Sequence, residues 1–299
     1  MMAVMVDNIT LTLETKPPPQ LHKAKGQPFE YKGQVYCPKY RNGQLCSYEA
    51  QIKNLRLYVY PERIYLTNSL HKFHKGNNYS DFTKSELRAA IEAISDITGI
   101  RWEQAEIKKL EYGCNIPGNG AGISATLQAY KGKDYLPMAK NGKAYGKALD
   151  ATKYTLKGYD KQYQVQQVDK LPLSTPLFRW EVVAKQGQYL QRILNIEKLT
   201  CKKVLSRESL SILGNDATIK FEQSLKKQSM NLHLLTAEQK KIIAVMNSPE
   251  IRADFKNHHK EAYKKYNRIY RQIMQDKSIC PDANTGQVIR AKFDELIAN

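Results

Sequence analysis

Apolar and polar residues alternate, or β-forming residues cluster, along much of the first quarter of the chain. This pattern is typical of strands, and it predicts four of them: residues 4–13, 31–36, 50–60 and 63–73. Asn42-Gly43 has the composition of a tight hairpin turn, and Gly76-Asn77-Asn78 is a further cluster of turn residues. A series of short strands joined by turns is therefore expected at the start of the chain.

The clearest helix of the sequence follows these strands. Thr83 and Glu86 have the spacing of a capping box, which marks a helix start. Gly99 stands where a glycine commonly ends a helix. Between them, helical spacing aligns one apolar stripe, formed by Leu87, Ala90, Ile91, Ile94 and Ile97. We expect an amphipathic helix between Thr83 and Gly99.

Strand patterns return after this helix, at residues 105–116, 153–161 and 177–185. The Gly- and Lys-rich stretch 117–147 is expected to form a short hairpin or a loop. From about residue 188 the pattern becomes helical; Tyr263, Tyr266, Tyr270 and Ile273 recur at helical spacing, which indicates packing rather than chemistry. The predicted fold class is α+β: a mostly antiparallel sheet with packed helices over residues 1–195, then a helical, basic C-terminal region over residues 196–299.

Each of the three later strands has a polar face when it is split by the strand period of two. In chain order these faces carry Lys109, Glu111, Gly113 and Asn115; then Lys153, Thr155, Lys157, Tyr159 and Lys161; then Arg179, Glu181, Val183 and Lys185. If the polar faces lie together, a tyrosine, two carboxylates and several cations converge. An ordinary half-exposed sheet with surface ion pairs would give the same pattern.

The excess of basic over acidic residues indicates what kind of partner the protein binds. The 299 residues contain 47 Lys+Arg and 29 Asp+Glu, a net charge of +18. Such an excess favours a polyanion such as nucleic acid, although a membrane surface or an acidic protein would also suit it. No apolar run approaches the roughly 18–20 residues that span a bilayer, and the start of the chain lacks the basic region of a secretory signal. Five scattered cysteines fit neither a zinc site nor a disulfide framework, so we expect a cytoplasmic protein without a membrane partner.

Tyrosine, carboxylates and cations are the groups that phosphodiester cleavage by a phenol requires. A phenol has an ordinary pKa near 10 and must be activated by a base or a nearby positive charge. Carboxylates can hold a divalent metal ion that polarises the phosphate. Lysines beside the tyrosine would bind the DNA backbone and favour the phenolate.

Four stretches of the sequence resemble, in this order, the rolling-circle replication initiators of the filamentous-phage gene II type and their plasmid relatives. They are residues 68–78, 109–113, 156–161 and 178–182. The resemblance covers roughly residues 1–200. It implies a site-specific single-strand DNA endonuclease and ligase that acts at an origin with Mg²⁺ or Mn²⁺. Its partners would be double- and single-stranded origin DNA, with a host helicase left open.

The resemblance also assigns roles to residues of this chain. Tyr159 corresponds to the nucleophile that forms a 5′-phosphotyrosine, and Glu111 and Glu181 correspond to metal ligands. Tyr145 is the alternative nucleophile, since some plasmid relatives use a tyrosine about one hairpin earlier, and a paired use of both is also open. His71 is a further candidate metal ligand, although the spacing of residues 71–74 does not suit one strand face. The candidate DNA-binding residues are Lys109, Lys157, Lys161, Arg179 and Lys185.

Arg179 has three interpretations: it could orient Glu181, grip a phosphate bidentately, or form only a surface salt bridge. Asp160 is expected to point away from Tyr159 and to be structural. Beside the initiator, a relaxase of a mobile element would use the same chemistry. A non-catalytic DNA-binding replication or regulatory protein would keep the basic faces and would not need Tyr159. An RNA-binding module is disfavoured because the chain lacks the aromatic strands and Gly-rich loops of common RNA readers.

Overall fold

The computed structural model describes residues 6–15, 24–168, 170–227, 232–276 and 285–298. In chain order the strands are β1 (Val6–Glu14), β2 (Phe29–Tyr31), β3 (Gln34–Arg41), β4 (Gln44–Ile52), β5 (Leu55–Val59), β6 (Arg63–Ser69), β7 (Glu106–Pro117), β8 (Leu127–Tyr130), β9 (Lys133–Asp134), β10 (Leu136–Lys140), β11 (Lys143–Asp150), β12 (Tyr154–Asp160), β13 (Leu177–Ala184) and β14 (Leu225–Lys226).

The helices lie between and after these strands. They are α1 (Leu70–Lys75), α2 (Lys84–Thr98), α3 (Gly120–Thr126), α4 (Lys161–Val168), α5 (Gly187–Leu194), α6 (Cys201–Val204), α7 (Arg207–Gln223), α8 (Ala237–Asn247), α9 (Pro249–His258), α10 (Lys260–Gln275) and α11 (Thr285–Ala298). The fold is α+β with a helical C-terminal part, as predicted. The predicted division between residues 195 and 196 stays a prediction.

Within the described residues, eleven strands form one sheet in which neighbouring strands pair antiparallel. Their spatial order is β10-β11-β12-β13-β7-β1-β6-β5-β4-β3-β2. A smaller sheet of order β14-β8-β9 stands beside it. The consequence for the site is that β12 and β13 lie beside β7 and β1, which come much earlier in the sequence.

The sequence predicted turns and helix ends accurately where capping or turn residues mark them. Asn42 and Gly43 have φ values of 51° and 76° and form the tight turn between β3 and β4, as predicted. Helix α2 has the complete capping box of Thr83 and Glu86, and Gly99 ends it in the left-handed conformation with φ 70°. These features confirm the predicted helix and its bounds.

Several predicted strands differ from the observed elements. The segment 31–36 is a hairpin, because Lys32 and Gly33 both adopt positive φ between β2 and β3. The segment 50–60 is divided at Lys53, which also has positive φ. The segment 63–73 changes from strand to helix at Ser69, whose side chain accepts a hydrogen bond from Lys72 N and caps α1.

Two further segments complete the comparison. The stretch 117–147 contains helix α3 and strands β8 to β10, together with the start of β11, instead of one hairpin or loop. The predicted strand 4–13 is β1, and residues 4 and 5 lie outside the described residues. Tyr270 and Ile273 are buried on α10 with Tyr263 and Tyr266 packed against the same cluster, which confirms their predicted packing role.

The apolar face of β12, β13 and β7 packs against the C-terminal helices. Trp180 on β13 is fully buried; its ring nitrogen donates to the carbonyl of Ala217 on α7 at 2.9 Å, and its ring meets that of Phe221 edge-on. Because side chains alternate along a strand, the polar residues of these strands are left on the other face of the sheet. Among the described residues, no helix has both the length and the apolarity to cross a membrane.

Candidate active site

Pairing places the three predicted polar faces on one side of the sheet. Paired residues of neighbouring strands share a face, and the register here joins Lys157 to Glu181, Tyr159 to Arg179, Arg179 to Asn115 and Glu181 to Gly113. The convergence expected from the strand period is therefore present in the structure. The sequence alone could not show this convergence, because the order of strands in a sheet depends on contacts between distant segments.

Glu181 stands at the centre of this cluster and is 3% exposed. Its Oε2 accepts hydrogen bonds from the Tyr159 hydroxyl at 3.2 Å and from Arg179 Nε at 2.6 Å. Its Oε1 accepts from Lys157 Nζ at 2.9 Å. One carboxylate thus joins the candidate nucleophile to two cations.

Arg179 connects this carboxylate to a second one on β1. Its NH2 group donates to Asp7 Oδ2 at 2.9 Å, and its NH1 group donates to the carbonyl of Asn78 at 3.0 Å. Asp7 also accepts from the Asn78 side chain at 3.0 Å and from the Ser69 hydroxyl. The guanidinium is completely buried, so its donors serve the protein itself in this arrangement.

A β-bulge in β1 brings two consecutive residues to the cluster. Val6 pairs with Tyr112 and Ile9 pairs with Leu110, so Asp7 and Asn8 together stand opposite the single residue Glu111. A bulge of this kind re-aims side chains, and bulges are frequent beside active sites. While Asp7 reaches Arg179, the Asn8 side chain donates to Glu111 Oε2 at 2.6 Å.

Two lysines flank Glu111 at the open side of the cluster. Lys109 Nζ lies 3.4 Å from Glu111 Oε1, and Lys157 Nζ lies 4.0 Å from the same oxygen. The Lys109 side chain is 45% exposed and that of Lys157 is 26% exposed. These two are the cations of the cluster that solvent, and hence a substrate, can reach.

Lys161 takes a different place, beneath the surface at the start of α4. Its Nζ donates to Asn78 Oδ1 at 2.9 Å and to Gln164 Oε1 at 2.7 Å. Burial, assisted by the positive charge of Arg179, lowers the pKa of Lys161 to about 7. The neighbouring Asp160 accepts from the backbone N–H of Tyr163 and so caps α4, in accord with its predicted structural role.

Tyr145 reaches Tyr159 through a second bulge. On β11, Gly146 pairs with Met138 and Ala144 pairs with Ala139, which leaves Tyr145 as the extra residue. Its ring meets the Tyr159 ring edge-on, with centroids 6.0 Å apart and an interplanar angle of 84°. Both candidate nucleophiles therefore lie in the same place.

The electrostatics hold Tyr159 as a neutral phenol in this arrangement. Burial raises the pKa of Tyr159 well above 10, and the opposing effect of Arg179 does not compensate. Burial alone would also raise the pKa of Glu181, but Lys157 and Arg179 lower it below its ordinary value. The sequence-based expectation that nearby lysines favour the phenolate is thus not met, because desolvation outweighs the cations.

No protein-family model matches the sequence, and no curated protein matches it. Among solved structures, the chain is similar to the rolling-circle replication initiator protein from Geobacillus stearothermophilus, with a TM-score of 0.40 and 10% identity. The match covers 75% of this chain and 86% of that one. The resemblance is distant. It gives no information about activity.

Most of the residues singled out from the sequence meet in this cluster, and Lys185 does not. Its Nζ bonds Asp150 at 2.6 Å, and it follows β13 six residues beyond Arg179, roughly 20 Å along an extended strand. Lys185 therefore lies far from Tyr159. Its position does not support a role in holding DNA near the reacting phosphate.

His71 departs from the sequence-based expectation in a different way. It lies on α1 rather than on the predicted strand 63–73, and it is fully buried. Its ring stacks on that of Phe82 with centroids 4.7 Å apart, and its Nε2 is 3.2 Å from the Ser80 hydroxyl oxygen. Burial, more than any neighbouring charge, lowers the pKa of His71 to about 3.

The carboxylates of the cluster do not offer a divalent metal ion a site in this arrangement. Asp7 and Glu181 both bond Arg179, and Lys157 lies against Glu181 and Glu111. Among the described residues, no group of three or more His, Cys, Asp or Glu side chains is placed to hold a metal ion. A Mg²⁺ or Mn²⁺ ion would have to displace these cations, and the metal requirement stays a prediction.

Sequence reasoning missed Asp7, Asn8 and Asn78 as members of the site. Asp7 did carry a signal, because it is the one charged residue of the predicted strand 4–13, and a carboxylate that is buried in a sheet needs a charged partner. Asn8 gave no comparable signal. The bulge that turns it toward Glu111 arises from pairing with β7, which the local sequence does not specify.

Proposed function

We propose that this protein cuts one strand of DNA by transesterification onto Tyr159, at an origin where it initiates rolling-circle replication. The observation that carries the proposal is the buried hydrogen bond from the Tyr159 hydroxyl to Glu181, which is itself paired with Arg179 and Lys157. A nucleophile, a proton acceptor and phosphate-binding cations are the parts that the reaction needs. The net charge of +18 supports a polyanionic substrate.

The proposed step exchanges one phosphoester for another. The Tyr159 oxygen attacks phosphorus, and its proton passes along the existing hydrogen bond to Glu181. The bond from phosphorus to the 3′ oxygen breaks, and that oxygen takes a proton from the Lys157 ammonium. The 5′ phosphate stays attached to Tyr159, so the reverse reaction rejoins the strand without another energy source.

Substrate binding would itself activate the base. Lys157 and Arg179 together keep the pKa of Glu181 low, which makes Glu181 a weak base in the free protein. An incoming phosphate competes for the partly exposed Lys157, and once that ammonium turns to the phosphate, Glu181 retains one cation instead of two. Its pKa then rises, and it accepts the Tyr159 proton more readily.

A nicking assay with matched tyrosine variants tests this proposal. Supercoiled plasmid carrying the cognate origin is expected to give open circles and a covalent protein–DNA band that survives denaturation. Tyr159→Phe should abolish both and leave DNA binding intact. Tyr154→Phe is the matched control, because Tyr154 lies on the opposite face of the same strand and should not change nicking.

The remaining outcomes discriminate between assignments. If Tyr145→Phe loses nicking and Tyr159→Phe remains active, the nucleophile is Tyr145 instead of Tyr159. Nicking that persists in both variants would overturn the proposal. Parallel reactions with Mg²⁺, with Mn²⁺ and with a chelator test the predicted metal requirement separately.

The burial of the cluster favours a second candidate, a DNA-binding replication or regulatory protein without catalysis. With Tyr159 7% exposed and its pKa raised by burial, the network could serve only to hold four strands together. This candidate predicts a gel shift with origin DNA and no covalent band in the same assay.

A further inference from the structure

A pair of partly exposed tyrosines continues outward from the candidate nucleophile. The ring of Tyr163 on α4 stacks on that of Tyr145, with centroids 5.7 Å apart and planes inclined by 27°. Tyr145 in turn meets Tyr159 edge-on. The two outer rings are half-buried, whereas Tyr159 is almost completely covered.

Several contacts fix the rings in place. The Tyr163 hydroxyl donates to the carbonyl of Lys140 at 3.2 Å, and its backbone N–H donates to Asp160 at 2.9 Å. The side chain of Asn141, in the turn between β10 and β11, donates to Gln167 on α4 at 3.3 Å. The hairpin and the helix that carry the two rings are thus tied together, and the bulge at Tyr145 directs that ring toward Tyr159.

Positive charge accompanies these rings. The ammonium of Lys143, an exposed residue, lies 4.9 Å from the centre of the Tyr163 ring. Burial raises the pKa of Tyr145, and the positive charge of Lys157 is close enough to oppose that rise. Aromatic faces beside mobile cations are the combination by which proteins hold unpaired bases and the phosphates between them.

We propose that Tyr145 and Tyr163 form a stacking platform for an unpaired base of single-stranded DNA next to the phosphate that Tyr159 attacks. This inference rests on the proposed function and names a subsite of it. A base that stacks on Tyr163 replaces the Lys143 ammonium, which is free to swing to a flanking phosphate. Because a base inside a duplex is stacked on both faces by its neighbours, the platform requires DNA that is already single-stranded.

The test measures binding without cleavage, in the full-length Tyr159→Phe protein, which keeps the ring that Tyr145 contacts. Two probes are compared: a short oligothymidine, and an oligodeoxyribose phosphate of the same length without bases. Adding Tyr163→Leu should weaken oligothymidine binding about tenfold and leave the base-free probe unchanged. Adding Tyr163→Phe, which keeps the stacking face, should restore oligothymidine binding.

Tyr65→Leu is the matched control. Tyr65 also contacts a second tyrosine ring, Tyr60, and Arg63 lies over both, but this group stands at the far end of β1 from Asp7. It should leave both affinities unchanged. Thermal unfolding of each variant checks that the chain still folds.

Equal weakening of both probes by Tyr163→Leu, or no weakening of either, would overturn the platform. Neither result would affect the covalent adduct at Tyr159, so the platform and the nicking proposal fail separately. Base-dependent binding, together with no adduct in the wild-type protein, would support base stacking on Tyr163 and reject the nuclease.

Discussion

Arg179 shows how much of the site is decided by one side chain. Its guanidinium contacts the carboxylates of both Asp7 on β1 and Glu181 on β13. Burying two carboxylates without a cation would cost several kcal/mol for each, so Arg179 permits the polar cluster to exist inside the sheet. Of its three sequence-based interpretations, the surface salt bridge is wrong because the side chain is buried. The pairing with Glu181 favours an orienting role, and a phosphate contact stays a prediction.

His71 provides a test of burial at the residue scale. The unfolded chain takes up a proton at this imidazole near pH 6.5, whereas the folded protein does so only near pH 3. Between these values the unfolded state binds more protons, so the free energy of unfolding falls as the pH falls. We expect a loss of about 2 kcal/mol between pH 7 and pH 5 from this group, measured by urea denaturation.

The variant His71→Gln, which retains a polar group for Ser80, should reduce this loss because it cannot titrate. His258→Gln is the control, since His258 is exposed on α9 and bonds only Asp254. A pH dependence that is identical in wild type and His71→Gln would show that the imidazole is not held neutral by burial.

At the scale of elements, two bulges build the site. In a regular strand, consecutive residues face opposite sides of the sheet. The bulge in β1 allows both Asp7 and Asn8 to contact charged residues of the cluster, and the bulge in β11 directs Tyr145 to Tyr159. Period-two reasoning is reliable along the straight parts of β12 and β13 and fails at these two points.

Gly146 makes room for Tyr159 between β11 and β12, so a side chain at this position should disturb the nucleophile. A Cβ here would stand 2.3 Å from Tyr159 Cβ and 2.9 Å from the carbonyl oxygen of Gly158. Gly146→Ala should therefore force the strands apart, cost about 1–3 kcal/mol, and reduce the rate of adduct formation at Tyr159 at least tenfold.

Gly142→Ala is the control that separates a loss of stability from a displacement of Tyr159. Gly142 has a φ of 75° and open space where its Cβ would stand, so alanine should cost about 1 kcal/mol through backbone strain alone. Adduct formation should persist in this variant. Equal activity of the Gly146 and Gly142 variants would show that the spacing of β11 and β12 does not position Tyr159.

At the scale of the whole molecule, the charge excess predicts salt-sensitive DNA binding, and the fold separates lysines that the sequence treated alike. Lys109 lies at the exposed edge of the cluster, and Lys185 lies at the other end of the strands. Lys109→Gln should lower the slope of log K against log salt by about 0.7–0.9, the value for one lost phosphate contact. Binding titrations over a range of salt concentrations measure this slope.

Lys185→Gln is the matched comparison and should leave the slope unchanged. A reduced slope for Lys185→Gln with no change for Lys109→Gln would place the DNA path away from the cluster. It would also separate DNA binding from the Tyr159 site.

The sequence by itself determined the faces of the later strands, the bounds of α2 and the cation excess, because each depends on neighbours a few residues away. It also placed Lys157 and Tyr159 on one face of their strand, and Arg179 and Glu181 on one face of theirs. Only the tertiary structure decided that β12, β13, β7 and β1 are adjacent, that Asp7 joins Arg179, and that Lys185 is excluded. Strand order depends on pairing between segments that are distant in sequence, such as β1 with β7, where Val6 pairs with Tyr112. Local periodicity contains no information about that pairing or about the bulges that it produces.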